Sequence, residues 1–394
     1  YTIVTNANGL TQSGGTVSAG AGKSADELID DAWTNQTGAS VDVEYTITPI
    51  SSAGCSGAPF LVTATIEYEP QTSAPVVLGS ICSDDVTTYN LFVADAATYN
   101  ITTNSNGLTQ SAGTVSAGTG KAANELADDA WTNPTLATVN VVYTITPVST
   151  PGCLGDPYTV TVPIDPEPVG AADVLTVCSD AGGLGYDLQV DNIDALGNTL
   201  VVDSWSWSSV ANPNVGNQTT GPSVAGTIND NLTNITAVDQ VVVYTVIPTT
   251  GGCSGDAFTL TVTVQPEPVG VANAGTVCSD EVLGVGYTLT TTGTSVSAAS
   301  YNITTITNTA GLAPSGGGPA TGTGFAADVL IDDAWTNQTG AQEDIIYTVV
   351  PVSSTGCVGA PFDITISVDW EPATTVSTTE AVTCSDQALS LIHI

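Results

Sequence analysis

The chain has 394 residues, with 39 acidic side chains against two basic ones, Lys23 and Lys121. A net charge of -37 excludes a nucleic-acid partner, because binding phosphates needs Lys and Arg to displace counterions, and it also excludes docking on anionic lipid. Only 10% of the residues are charged and 42% are hydrophobic, so this is no acidic disordered tail and there is ample material for buried cores.

In chain order, the text opens inside a pattern. Leu28–Ala39 reads LIDDAWTNQTGA; it returns letter for letter at Leu330–Ala341 and as LADDAWTNPTLA at Leu126–Ala137. Ser24–Trp33 has the composition of a short helix capped by Ser24. Its counterpart Gly226–Asn234, GTINDNLTN, is a poor helix and a fair strand, so the whole chain reads as all-β with little helix. Val41–Thr48 then places apolar residues at alternate positions, with Asp42, Glu44, Thr46 and Thr48 facing water. That is the period of a half-buried antiparallel strand. A Gly-Cys pair ending at Cys55 follows, then a second alternating run, Glu69-Pro70, and a Cys-Ser-Asp beginning at Cys82. The Gly, Pro, Ser and Cys between the two runs mark a hairpin.

The order then repeats. YTITP at Tyr45 returns at Tyr143, as YTVIP at Tyr244 and as YTVVP at Tyr347. Gly-Cys pairs recur at Cys153, Cys253 and Cys357, Glu-Pro at Glu167, Glu267 and Glu371, and Cys-Ser-Asp at Cys178, Cys278 and Cys384. The period of about 100 residues is that of one immunoglobulin-like antiparallel β-sandwich. The expected organisation is a partial module at 1–70 without its first strands, whole modules at 71–168, 169–268 and 269–372, and the start of a further module at 373–394. The tail LSLIHI, Leu389–Ile394, reads like a translated transposon end from a sequencing library. The natural chain is therefore expected to run on in other residues, and His393, the sole histidine, carries no functional weight. No apolar run approaches the roughly 18 residues of a membrane span, so no membrane insertion is expected.

Four sets of residues are candidates for chemistry. The first is Asp31, Asp129, Asp230 and Asp333, each two residues before Trp33, Trp131, Leu232 or Trp335. Carboxylates beside tryptophan suit calcium or a stacked sugar, but Leu232 argues for core packing, with Asp capping a turn or meeting solvent. The second is the eight cysteines, even in number and without a Cys-x-x-Cys, which point to disulfides in an oxidising setting. Two pairings stand open: within modules (Cys82–Cys153, Cys178–Cys253, Cys278–Cys357), or across junctions (Cys55–Cys82, Cys153–Cys178, Cys253–Cys278, Cys357–Cys384). The third is the junction acids Glu69, Glu167, Glu267 and Glu371, with Asp85, Asp180, Asp280 and Asp386 after the nearby cysteines. These are candidate calcium ligands, set against the simpler reading of Pro-flanked acids that solvate a linker. The fourth is the Asn-X-Thr sequons at Asn35, Asn100, Asn217, Asn231, Asn234, Asn302 and Asn337, candidate glycosylation sites; Asn133 is followed by Pro and does not qualify. With no arginine and no usable histidine, Ser-His-Asp and Cys-His catalysis are unavailable, and an enzyme is not expected.

The recurrent VYTITP, Gly-Cys, PEP and VCSD elements resemble the Ig/PKD-like repeats of very long surface proteins of Bacteroidota. The resemblance implies type IX export, a cell-surface location, and a role in adhesion, gliding or fibre formation, with neighbouring copies or modules of the same protein as partners. The expected function is a structural repeat region of a secreted fibre, filament or stalk. The alternative is a calcium-dependent adhesin for extracellular polysaccharide, for which the third module offers Trp205 and Trp207.

Overall fold

Alternation of side chains decides which face of each strand is buried. In Val139–Val148, Val141, Tyr143 and Ile145 point inward while Asn140 and Thr144 are exposed; in Tyr158–Asp165, Tyr158, Val160, Val162 and Ile164 are buried. The computed structural model describes residues 1–372 apart from 17, 18, 72, 115, 198, 309 and 310. It is 46% strand and 3% helix, so the all-β reading holds. The described residues divide into two compact units. One is Tyr1–Ala171 with Leu188–Ser206 and Ile247–Phe258; the other is Ala172–Asp187 with Trp207–Val246 and the chain from Thr259.

In the first unit, one sheet has the order Gly20–Ala21, Thr2–Asn6, Val41–Thr48, Phe60–Ile66, and faces the pair Thr11–Gly14 and Ala32–Thr34. The next repeat has the order Gly118–Lys121, Thr98–Asn104, Val139–Val148, Tyr158–Asp165, Val76–Val77, and a second pair, Thr109–Ala112 with Ala130–Thr132. In the second unit, Asn273–Cys278, Phe362–Asp369, Glu343–Ser353, Ala298–Asn308 and Gly322–Phe325 form the matching sheet, and Leu312–Gly316 pairs with Ala334–Asn337. The third repeat follows the same plan, with Asp173–Cys178 beside Phe258–Gln265. Its stretch Gly226–Asn234 holds two short strands, Thr227–Ile228 and Thr233–Asn234, whereas Ala25–Asp30 is a run of turns. One pairing was not legible as a period: the strand leading to Cys82, Cys178 or Cys278 lies parallel to the last strand of its repeat.

The two layers are tied by a buried polar chain. Trp131 Nε1 donates to Tyr143 Oη at 2.9 Å, and Tyr143 Oη donates to Asp129 Oδ2 at 2.8 Å. The same chain runs Trp33–Tyr45–Asp31 and Trp335–Tyr347–Asp333. Asp129 and Asp333 are buried, which corrects the expectation that this aspartate meets solvent. A buried carboxylate must be hydrogen-bonded, and each repeat supplies donors in its own way. Gln12 and Gln110 donate to Asp31 and Asp129 at 2.8 and 2.9 Å, and Ser116 Oγ also donates to Asp129. In the third repeat Thr219 donates twice to Asp230, through N at 2.8 Å and Oγ1 at 2.7 Å.

In the fourth repeat Pro314 stands opposite Trp335, where Gln110 stands opposite Trp131, so that amide donor is gone. Burial pushes the Asp333 carboxyl up to about 6, opposed by the bond from Tyr347 and aided by the charge of Asp332. Leu232 leaves the third repeat without the usual tryptophan, and Trp207 packs edge-on against Tyr244 at 5.7 Å instead. Trp207 is buried and donates to Ala225 O at 2.8 Å. We predict that Tyr143→Phe destabilises the second repeat by about 1–3 kcal/mol, because it strips a donor from a buried carboxylate. Urea unfolding of the variant against the parent chain measures this; equal midpoints would show that the hydroxyl bridge contributes nothing.

Candidate functional site at the Cys-Ser-Asp clasps and Glu-Pro linkers

The Cys-Ser-Asp tripeptide folds into a clasp. Ser83 N donates to Asp165 O on the last strand, and Asp84 N donates to Trp131 O on the small sheet, both at 2.9 Å. The side chains continue the bonding: Asn133 N donates to Ser83 Oγ at 3.0 Å and Thr132 Oγ1 to Asp84 Oδ1 at 2.6 Å. Asp84 reaches both only with a left-handed backbone, φ 64°, a conformation Asp tolerates better than most residues. Ser179-Asp180 and Ser279-Asp280 repeat the geometry, with Thr233 and Thr336 as the hydroxyl donors. The residue in register with Asp180 and Asp280 is thus Asp84, not Asp85. Asp386 lies outside the described residues.

The cysteine ahead of each clasp reaches into the following repeat. Cys82 bonds Cys253 and Cys178 bonds Cys357, each with a Cα–Cα distance of 5.4 Å. Both pairings expected from the sequence are therefore corrected. Cys82 sits opposite Asp165, at the end of Tyr158–Asp165, whereas Cys153 precedes the start of that strand. Seven strand steps at about 3.3 Å separate the two ends, far beyond the ~7 Å a disulfide spans. Cys178 in turn lies opposite Gln265, at the end of the last strand of its own repeat, and its bond to Cys357 excludes both Cys153–Cys178 and Cys178–Cys253. What each clasp cysteine meets is the Gly-Cys hairpin of the next repeat, which stands over the linker. A Cβ on Gly255 would lie 1.8 Å from Pro168 O, and one on Gly359 the same distance from Pro268 O, which accounts for the second glycine of the motif. Cys55, Cys153 and Cys278 are unbridged, and Cys384 lies outside the described residues.

The linker acids sit beside the clasps. Burial pushes the Glu167 carboxyl up to about 7, and the charges of Asp84, Asp256 and Asp85 push the same way. Burial would also raise Asp84, but hydrogen bonds from Ser111, Thr132, Ser83 and Glu167 together hold it below the usual range. Folding thus raises the proton affinity of Glu167 beside Asp84, so that below about pH 7 Glu167 carries a proton it can donate to Asp84. Glu267 is raised by burial and by Asp180. Glu69 and Glu371 are tied differently: their backbone N–H groups donate to Asn35 O and Asn337 O, and their carboxylates accept from Gln36 and Gln338. Among the described residues, no group of three or more His, Cys, Asp or Glu side chains is placed to hold a metal ion. Of the four, Glu167 and Glu267 are the two whose surroundings favour a bound proton.

The sequons divide into two groups. Asn35, Asn234 and Asn337 are buried, and each uses Nδ2 twice, toward a nearby turn carbonyl and the last strand; Asn337 donates to Ala341 O and Val368 O at 2.8 and 2.7 Å. Their Oδ1 accepts from the Thr two residues on. Asn133, followed by Pro, makes the same bonds, so Asn-X-Thr here is a turn motif whose Nδ2 is engaged in two hydrogen bonds in the folded module. Asn100 and Asn302 accept from the N–H of Gly120 and Gly324, while Asn217 and Asn231 are exposed.

A large sheet closed by a small one and repeated along the chain defines a tandem β-sandwich protein of the immunoglobulin-like kind. The chain belongs to the PKD-like domain family, whose profile matches residues 4–70, 79–168, 175–268 and 275–372. Tandem repeats of this kind fit a structural or adhesive repeat region, and no enzymatic family is indicated. No curated protein matches. Solved structures similar to the chain include protocadherin gamma B7 extracellular cadherin domains 1–4, at 10% identity over 93% of this chain and 92% of that one, TM-score 0.24. Mouse cadherin-23 EC22–24 matches at 11% identity over 77% and 99%, TM-score 0.23. Drosophila N-cadherin EC1–4 matches at 10% identity over 93% and 92%, TM-score 0.22. Superposition this loose carries no inference about what the chain binds.

Two outcomes are expected. Cys178→Ser, or reduction of the parent chain, should lower stability by about 2–4 kcal/mol, read from denaturation with and without reductant; no change would mean that the bridge does not form. The second concerns pH. A carboxyl raised from 4.5 to about 7 by folding binds a proton that the unfolded chain has released, so its contribution falls as pH rises through that window. Glu167→Gln should flatten this loss, measured as the difference in urea midpoint between parent and variant at about pH 5 and about pH 8. Parallel pH profiles would refute the shared proton.

Proposed function

We propose that the chain is a structural repeat region, with a mechanical role, of a long secreted cell-surface fibre, filament or stalk. The observation that carries this reading is the covalent step from the clasp cysteine of one repeat to the Gly-Cys hairpin of the next, made twice in the same register. Disulfides persist in oxidising, extracellular settings, which supports secretion. Among the described residues no helix is long and apolar enough to cross a membrane. The resemblance to Bacteroidota surface repeats supports type IX export and a cell-surface location as part of the same reading. The rival reading, a calcium-dependent polysaccharide adhesin, asks for exposed aromatic platforms. Trp131, Trp205, Trp207 and Trp335 are instead buried, and only Trp370 is half exposed while Trp33 is partly covered.

The bridges overlap along the chain, which gives a mechanical test. The shortest covalent path from Cys82 to Cys357 runs through both disulfides and only the backbone between Cys178 and Cys253. Pulled by its ends in a force spectrometer, the oxidised chain should extend across this region roughly a quarter as far as the reduced chain, in proportion to the residues released. Equal extension with and without reductant would remove the mechanical role.

A further inference from the structure

The aspartate that ties the two layers is hydrogen-bonded at both oxygens in three repeats and at one in the fourth. Oδ1 of Asp31 accepts from Gln12 at 2.8 Å, Oδ1 of Asp129 from Gln110 at 2.9 Å and Oδ1 of Asp230 from Thr219 Oγ1 at 2.7 Å, while each Oδ2 takes the tyrosine hydroxyl. In the fourth repeat Tyr347 donates to Asp333 Oδ2, but among the described residues no donor reaches Oδ1. Two side chains account for this. Pro314 stands opposite Trp335, where the second repeat has Gln110 opposite Trp131. Counted on from there, Ala320 falls where Ser116 donates to Asp129. Ser116 is buried and Ala320 is exposed, so the loop stands off the aspartate. Asp333 is still only 3% exposed. A buried carboxylate oxygen without a donor carries a penalty that a bound donor removes.

That oxygen borders a cavity of about 440 Å³. Asp333 forms its buried floor, Asp328 and Asp332 are exposed at its rim, and the half-buried Val329 and Ile331 line it beside them. Gly317 makes the approach possible: its φ is 74°, and a Cβ there would lie 2.4 Å from Asp333 Oδ1. The cavity at the same place in the second repeat is about 290 Å³, and Asp129 is not part of its lining. That one stays open although another repeat follows it in the chain, so the array leaves this position accessible.

The lining dictates the class of ligand. Three carboxylates meet here, and the two lysines of the chain lie in other repeats, paired with Glu27 and Glu125. The occupant therefore brings both a donor for Oδ1 and a positive charge. A bare metal ion does not suit, because among the described residues no group of three or more His, Cys, Asp or Glu is placed to hold one. A primary ammonium does. It carries three N–H donors, its bond to a carboxylate is charge-assisted, and its alkyl stem packs on apolar side chains such as Val329 and Ile331.

We propose that this cavity of the fourth repeat binds a primary alkylammonium, of the kind a lysine side chain carries, with Asp333 Oδ1 accepting its hydrogen bond and Asp328 and Asp332 balancing its charge. The first three repeats use the same aspartate for structure alone; the fourth turns one of its oxygens toward a ligand. The site is independent of the mechanical role, and either can fail without the other.

The test titrates the full chain at about pH 8, above the Asp333 pKa of about 6, with n-butylammonium and with N-acetyl-lysine methylamide, and reads binding by saturation-transfer NMR. Saturable binding is expected. Equal affinities assign the site to free amines, and tighter binding of the lysine derivative assigns it to a lysine of a protein. The deciding variant is Pro314→Gln/Ala320→Ser, which returns both donors and leaves the net charge unchanged. It should bind about tenfold more weakly or worse, with a urea midpoint no lower than the parent's. Tetramethylammonium, a cation without N–H donors, should be weaker by a similar factor. No saturable binding to the parent, an unchanged affinity in the variant, or equal binding of tetramethylammonium overturns the proposal. If the double variant does not fold, Asp328→Asn/Asp332→Asn, at exposed positions, decides in its place: unchanged affinity there overturns the proposal too.

Discussion

Each repeat depends on one hydrogen bond, buried in the second to fourth repeats and partly buried in the first, from the hydroxyl of the central-strand tyrosine to the aspartate of the facing layer. It is 3.0 Å long in Tyr45–Asp31, 2.8 Å in Tyr143–Asp129, 2.6 Å in Tyr244–Asp230 and 2.8 Å in Tyr347–Asp333. The tryptophan that caps it is replaced by leucine in one repeat and the glutamine by proline in another, but the pair itself is present in all four. The reason is energetic asymmetry: a satisfied buried carboxylate is tolerable, and an unsatisfied one is not. The pair fixes the separation of the two layers and places the strand that follows the aspartate, on which the Cys-Ser-Asp clasp closes.

The clasp turns a local fold into a chain-length property. By holding the last strand, the small sheet and the cysteine together, it aims the thiol at the hairpin of the next repeat. The Gly-Pro approach at Gly255 and Gly359 keeps that hairpin over the linker. The acids crowded beside the clasp are the cost of this arrangement, eased by the raised proton affinity of Glu167 and by hydroxyl donors to Asp84, Asp180 and Asp280.

The same substitution of hydroxyl for cation runs over the surface. With 39 acids and two lysines, most carboxylates find no basic partner. Lys23 and Lys121 pair with Glu27 and Glu125. Across the sheets, Thr65 donates to Asp42, Ser40 to Glu67, Thr348 to Asp363 and Ser367 to Asp344. The threonine-rich strand faces therefore do more than satisfy β-propensity; they hydrogen-bond the charge that the composition leaves unpaired.

The sequence by itself determined the all-β class, the repeat length and the inward positions of the strands, because side-chain alternation and recurrence are properties of neighbouring residues. Val43, Tyr45 and Ile47 are buried where the pattern placed them. It also marked Cys-Ser-Asp, Gly-Cys and the buried aspartates as recurrent without revealing their partners. Only the tertiary structure decided that Cys82 meets Cys253, that Asp84 rather than Asp85 faces Glu167, and that Asn35, Asn234 and Asn337 are buried amides. Those outcomes depend on which strand ends come together in space. A parallel first strand and a hairpin from the following repeat bring together residues about 170 positions apart in the chain, a separation on which no local period bears.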